Sequence, residues 1–176
     1  MRLAKGMKTV FRRPRFLVFG VLALTAILSV TGCGLVSSTG QSLESASAQV
    51  SAVDGVASAV VKEGGAWNGF THNTYIAVQV TLEDGVVVKD PEVFVDYLFA
   101  VAWSQNETPT NMGVLLSVHG DQGSPAAINL KNAAEAAGWR LGVSANASFA
   151  SVENSAMEAR FGPWPGPVPE SPDSLR

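Results

Sequence analysis

Three polar residues near the middle of the chain combine the groups that serine hydrolases use. Ser117, His119 and Asp121 alternate with Val118 and Gly120, so in a strand their side chains would share one face. Catalysis needs the imidazole within about 2.6–3.2 Å of both neighbours. Residues two apart in a strand are separated by about 6.6–6.8 Å. The pattern therefore favours polar residues at the exposed side of a half-buried strand over a catalytic triad.

A metal site would have to use the only two histidines, His72 and His119, together with Asp121 or Glu83. The 46 residues between the histidines match no ligand spacing that we recognise. A single cysteine also rules out a disulfide within the chain and a multi-cysteine zinc or iron–sulfur site. We therefore expect no metal and no cofactor, and we favour a non-enzymatic protein. The alternative is an envelope hydrolase or metal-dependent enzyme that uses His119 and Asp121.

Two segments alternate cleanly between apolar and other residues, namely 76–82 and 112–118. This period predicts strands whose even-numbered residues face a core. The odd-numbered residues would form a wetter face, which we predict to be the contact surface of a binding domain. The residues assigned to this surface are Gln79, Thr81, Leu115, Ser117 and His119.

The remaining elements follow from apolar periodicity and from the signals that start and end helices. Helices are predicted from Ser42 to before Gly55, at 90–104 after the Asp90-Pro91 cap, at 127–137 after Ser124-Pro125, and at 152–161. Further strands are predicted at 56–61, ending at Gly64-Gly65, at 86–88 and at 139–149, with 67–73 as a loop.

This order of elements predicts an α+β fold with an open antiparallel or mixed sheet of about three to five strands and helices on one face. Several connections are too short for a wholly parallel sheet. The stretch 56–118 resembles, in its order of elements alone, part of a ferredoxin-like split βαβ unit. Such a fold hosts many functions, so it implies none.

The N-terminal segment has the layout of an export signal. Six basic residues and no acidic residue precede the apolar run 16–31. As a helix the run would reach roughly 24 Å, short of the approximately 30 Å hydrocarbon core of a bilayer. We therefore predict a cleaved signal. The general secretory route is favoured over twin-arginine export, because Pro14 and Arg15 separate Arg12-Arg13 from the apolar run.

The run ends in Val30-Thr31-Gly32-Cys33, which resembles the lipobox of bacterial lipoproteins. The resemblance covers the leader and implies that Cys33 is diacylated, that cleavage follows Gly32, and that two acyl chains hold the protein on the outer face of the cytoplasmic membrane. An uncleaved signal anchor and an ordinary secreted protein cut nearby are the alternatives.

Removal of the leader would change the electrostatics of the chain. Residues 33–176 retain six basic residues against all fifteen acidic ones, a net charge of −9. This balance argues against nucleic-acid binding. We predict a signal peptide at 1–32, a lipidated cysteine and tether at 33–41, one domain at 42–162, and an extended Pro-rich tail at 163–176. The expected partners are the membrane, through Cys33, and an unidentified envelope protein or small ligand.

Overall fold

The computed structural model describes residues 40–121, 128–172 and 175. The leader, Cys33 and the predicted Ser124-Pro125 cap lie outside these residues. Within them the chain forms, in order, α1 (Leu43–Ser51), β1 (Val56–Asn68), β2 (Thr71–Leu82), α2 (Pro91–Ser104), β3 (Val114–Gly120), α3 (Leu130–Ala136), β4 (Phe149–Val152) and α4 (Asn154–Phe161).

The four strands form one open mixed sheet in the order β1-β2-β3-β4. β1 pairs with β2 antiparallel, β2 with β3 parallel, and β3 with β4 antiparallel. The predicted α+β class and mixed sheet are therefore confirmed. The ferredoxin-like resemblance is wrong in one respect, because β2 and β3 are hydrogen-bonded neighbours, whereas a split βαβ unit has another strand between its two parallel strands.

One face of the sheet carries the core. Val61, Val78, Leu116 and Ala150 lie across the four strands in register and are all buried. α2 closes this side because its apolar residues extend around most of the helix: Phe94, Leu98, Phe99 and Val101 are each at most 1% exposed. The predicted helix at 90–104 is confirmed, although the Asp90 side chain makes no capping hydrogen bond.

Neither outer strand of the sheet has a fully open edge. Ser47 and Ser51, one turn apart on α1, accept hydrogen bonds from the backbone amides of Val61 and Ala59 in β1, at 2.8 and 3.0 Å. At the other edge, Gly142 donates its amide to the carbonyl of Ser151 in β4 at 2.9 Å. α1 and the loop before β4 therefore occupy the positions where a further strand would pair.

β1 and β2 are longer than the sequence predicted. The strand predicted at 56–61 continues through Gly64-Gly65 to Asn68, and most of the predicted loop at 67–73 is paired backbone around a turn at Gly69. The glycines do not end the strand because β2 pairs with it along its whole length. Gly64 is also required locally, since a Cβ there would overlap the ring of Tyr75 on the opposite strand.

Two other predicted strands are wrong. Residues 86–88 form no strand; Val86 and Val88 are buried, and Leu175, which is also buried, lies beside Gly55 and Val86. The segment 139–148 is irregular, and pairing begins only at Phe149.

The helices near the C-terminal end begin later than predicted. α3 begins at Leu130 after Asn129, whose side chain accepts from the Asn132 amide. α4 begins at Asn154 rather than at 152, because Val152 remains paired with β3.

The Pro-rich segment after α4 returns across the helices. The Gly166 amide donates to the Trp103 carbonyl at 3.1 Å, and Trp103 Nε1 donates to the Gly162 carbonyl at 2.9 Å. Farther along, the side chain of Gln49 donates to the Pro169 carbonyl. Trp164 packs against the core cluster. The described part of the tail thus covers the helical side and leaves the other face of the sheet uncovered.

Candidate functional site

The sheet face opposite the helices, which we call the open face, contains all five residues of the predicted contact surface. The strand register pairs Gln79 with Ser117 and Thr81 with His119, while Leu115 pairs with Ala77. Gln79 and His119 are exposed, and Thr81, Leu115 and Ser117 are partly exposed. The period-two patterns of β2 and β3 therefore assigned these side chains to the correct face.

A shallow groove of about 260 Å³ runs across the open face. Ala77 and Leu115 supply apolar surface in it, Gln79 and Ser117 supply hydrogen-bonding groups, and Lys62 is its one charged side chain. The lining residues are Lys62, Tyr75, Ala77, Val78, Gln79, Leu115, Leu116, Ser117 and Phe149. This volume is below the range of about 300–1,000 Å³ that is usual for small-molecule pockets. It suits one or two side chains of a larger partner.

The cationic group of the groove comes from β1 and was not predicted as part of the site. Lys62 pairs across the strands with Ala77 and is exposed. Its inclusion depends on the register between β1 and β2, which a single sequence does not reveal. The same holds for Phe149, which pairs with Ser117 from β4.

The structure does not bring the three residues of the predicted hydrolase pattern together on one strand. Ser117 and His119 lie on β3, whereas Asp121 follows the last residue of that strand, Gly120. Same-face neighbours along a strand remain about 6.6–6.8 Å apart, which is more than the hydrogen-bond spacing of a triad.

The two histidines lie at opposite ends of the sheet. His72 is near the turn between β1 and β2, with its ring 4.8 Å from that of Trp67. His119 pairs with Thr81, nine residues farther along β2, a separation of roughly 30 Å along the strand. Among residues 40–121, 128–172 and 175, no cluster of three or more His, Cys, Asp or Glu side chains is arranged to hold a metal ion.

A larger cavity, of about 650 Å³, lies beside α4 and the start of the loop after α3. Arg160 in its wall contacts Asp96 at 2.8 Å and the Ala137 carbonyl at 2.9 Å, and its guanidinium lies 4.6 Å from the Trp139 ring centroid. Asp96 also accepts from Trp139 Nε1 at 3.0 Å. Through these contacts Arg160 links α4 to α2 and to the end of α3. None of the predicted contact residues reaches this cavity.

Trp67, Trp103 and Trp139 have different environments. Trp103 and Trp139 are buried, as expected of core residues, but Trp67 is 71% exposed at the end of the hairpin. Asn68-Gly69 is a hairpin-turn signal that would have predicted a turn here, although the structure places Gly69-Phe70 in the turn and keeps Asn68 paired with Thr71.

Comparisons of the chain with protein-family models, with curated proteins and with solved structures gave no match. The part of the chain that the structure describes contains no helix that is long and apolar enough to cross a membrane.

Proposed function

We propose that the protein is a lipoprotein of the bacterial envelope, anchored through Cys33 to the outer face of the cytoplasmic membrane, and that its domain binds another envelope protein without performing a reaction. The observation that carries the binding role is the groove on the open face, which no described helix covers. The lipobox-like sequence before Cys33 supports the anchor.

Charge and size suggest the chemistry of the partner. After removal of the leader the chain has a net charge of −9, yet the groove contains a lysine and no carboxylate. The net negative charge of the domain would repel an acidic partner over much of its surface, whereas Lys62 would attract that partner at the groove. We therefore propose a protein surface that presents an acidic side chain toward Lys62 and an apolar side chain between Ala77 and Leu115.

The alternative enzyme has less support from the geometry. It would use His119 and Asp121, but His72 lies too far away to join them. Neither residue lines the groove or the larger cavity.

The anchor can be tested by comparing the wild-type protein with Cys33→Ala. We expect acylated mass and membrane fractionation for the wild type, and loss of both in the variant. Absence of acyl mass from the wild type, with identical partitioning of both proteins, would contradict the anchor.

The binding face can be tested with a photo-crosslinking residue at Gln79 in intact cells. The matched control is the same residue at Val93, which is 56% exposed on α2. We expect a discrete adduct at position 79 that is absent at position 93 and is reduced by Lys62→Glu, because charge reversal repels an acidic partner. Equal yields at both positions would reject this face, and an adduct insensitive to Lys62→Glu would reject an acidic partner.

A further inference from the structure

The end of the β1–β2 hairpin projects beyond the rest of the sheet. β3 pairs with β2 only from Ile76 onward, whereas β1 and β2 remain paired out to Asn68 and Thr71. The five residues of β2 before Ile76 correspond to roughly 16 Å of strand. The loop before β3 supports this stretch at Thr74 and, through the Asn111 side chain, at the His72 carbonyl, so the part beyond His72 stands clear. We call residues 66–72 the hairpin tip.

The tip exposes two large aromatic side chains. Phe70 is 104% exposed, and Trp67 is 71% exposed with its ring beside that of His72. The Phe70 ring gains nothing from folding, since it stays in water, and the Trp67 ring gains little. Both rings remain available to an outside surface.

The tip also has no acidic or strongly basic side chain. Residues 64–74 include glycine, asparagine and threonine but no Asp, Glu, Lys or Arg. Pairing across the hairpin satisfies the backbone groups that face inward between β1 and β2, whereas the outward-facing groups need water, so the tip suits the interfacial region of a bilayer and not its hydrocarbon core. Tryptophan has an amphipathic ring that concentrates at the boundary between lipid and water.

The chain enters the domain at the same end as the tip. The amide of Gln41 donates to the Ser104 carbonyl, and Gln41 forms a parallel bridge with Gln105. The loop that follows Gln105 contacts β1 near the base of the tip, where Thr108 Oγ1 donates to Glu63 at 2.9 Å.

The covalent chain limits how far this end can lie from the proposed anchor. Six residues lie between Cys33 and Gly40, so the two Cα atoms are seven steps apart and at most about 25 Å from each other. An acylated Cys33 would therefore hold the tip end of the domain close to the lipid surface.

We propose that the hairpin tip inserts Trp67 and Phe70 into the interfacial region of the membrane, as a second attachment beside the lipid on Cys33. This inference rests on the proposed anchor. The ligand is a lipid surface without a required head-group charge, because the tip has no cationic cluster to recognise anionic lipid. Two attachments would orient the strands along the membrane normal and turn the open face sideways, toward partners in the same membrane.

The test uses full-length protein extracted from membranes, with its acyl mass measured first, and then reconstituted into phosphatidylcholine vesicles containing brominated phosphatidylcholine. Bromine quenches tryptophan fluorescence on contact. Trp164 is only partly buried, so both proteins carry Trp164→Phe. In that background we expect quenching with Trp67 present and its loss in Trp67→Ser, since Trp103 and Trp139 are buried in the domain. Quenching should not require phosphatidylglycerol, because the tip has no cationic cluster.

Two matched substitutions keep the test independent of folding. Phe70→Ser should weaken the quenching of Trp67, while Val143→Ser, at a residue 106% exposed on another loop, should leave it unchanged. Acylated protein that shows no quenching would overturn tip insertion and leave the anchor standing. Absence of acyl mass would overturn the anchor and, with it, this inference. If Trp67 is shielded from solvent in cells but is not shielded in vesicles, the tip binds a protein partner and the lipid proposal is overturned.

Discussion

Leu115 and Leu116 are consecutive residues of β3 with identical side chains and different environments. Leu116 is completely buried under the helices, whereas Leu115 lines the groove on the open face and is partly exposed. The two faces of one strand thus separate the residues that hold the fold from those available for contact. The first test below examines that separation directly, and the two later tests probe the helical side alone.

The largest effect is expected from Leu116→Ala, which should lower the free energy of unfolding by about 2–5 kcal/mol, because it leaves a cavity in a closed core. Leu115→Ala should cost much less, since the removed atoms already contact solvent. Chemical denaturation of both variants measures the difference. Equal losses would mean that the open face is covered and would remove the basis for the contact surface.

The sequence predicted an element well where the residues that specify it lie within that element. α2 has its apolar residues and its proline start signal within fifteen residues, and its bounds were predicted almost to the residue. The outer half of β1 has no apolar alternation and exists because β2 pairs with it, so no local pattern could reveal it. β4 is only four residues long, too short to stand out from its loop.

The residues of the candidate site also divide into those predicted by a local pattern and those that depend on strand pairing. The residues that β2 and β3 contribute to the open face could be predicted from alternation. Lys62 and Phe149 join them through strand register, and Trp67 is exposed because of the length of the hairpin. The inclusion of Lys62 and Phe149 in the groove and the exposure of Trp67 all depend on strand pairing, which the sequence predicts weakly.

A smaller effect is expected from Ser47→Ala on the helical side. The change leaves the amide of Val61 without the hydroxyl that accepts from it at 2.8 Å, which should cost about 1 kcal/mol at this partly buried position. Hydrogen exchange at Val61 should accelerate in the variant. Ser45→Ala, at an exposed position of the same helix, is the control; equal acceleration at Val61 in both variants would show that the serine bond does not protect the edge.

The smallest effect concerns the pH dependence of stability. Burial raises the pKa of Tyr97 above its ordinary value of 10.0, and a hydrogen bond with Ser171 partly opposes this increase. The neutral Tyr97 hydroxyl therefore makes its full contribution to stability below about pH 10. This contribution is lost as the pH rises through the folded-state pKa, because Tyr97 ionises first in the unfolded chain.

Tyr97→Phe removes that ionisation, so its unfolding free energy should fall less steeply than that of the wild type above about pH 10. Denaturation midpoints of both proteins across alkaline pH provide the measurement. Parallel curves would indicate that the Tyr97 hydroxyl is as well solvated in the folded protein as in the unfolded chain.

The serines of α1 have a consequence for how copies of the protein behave when they are crowded. A bare outer strand offers its amides to any neighbouring copy, and repeated pairing of that kind builds continuous sheets. Here Ser47 and Ser51 occupy two of the amides of β1, and Gly142 occupies the Ser151 carbonyl of β4. Copies that collide along the Ala59–Val61 part of β1 or beside Ser151 of β4 would meet hydrogen bonds that are already made, which disfavours sheet extension at those two places.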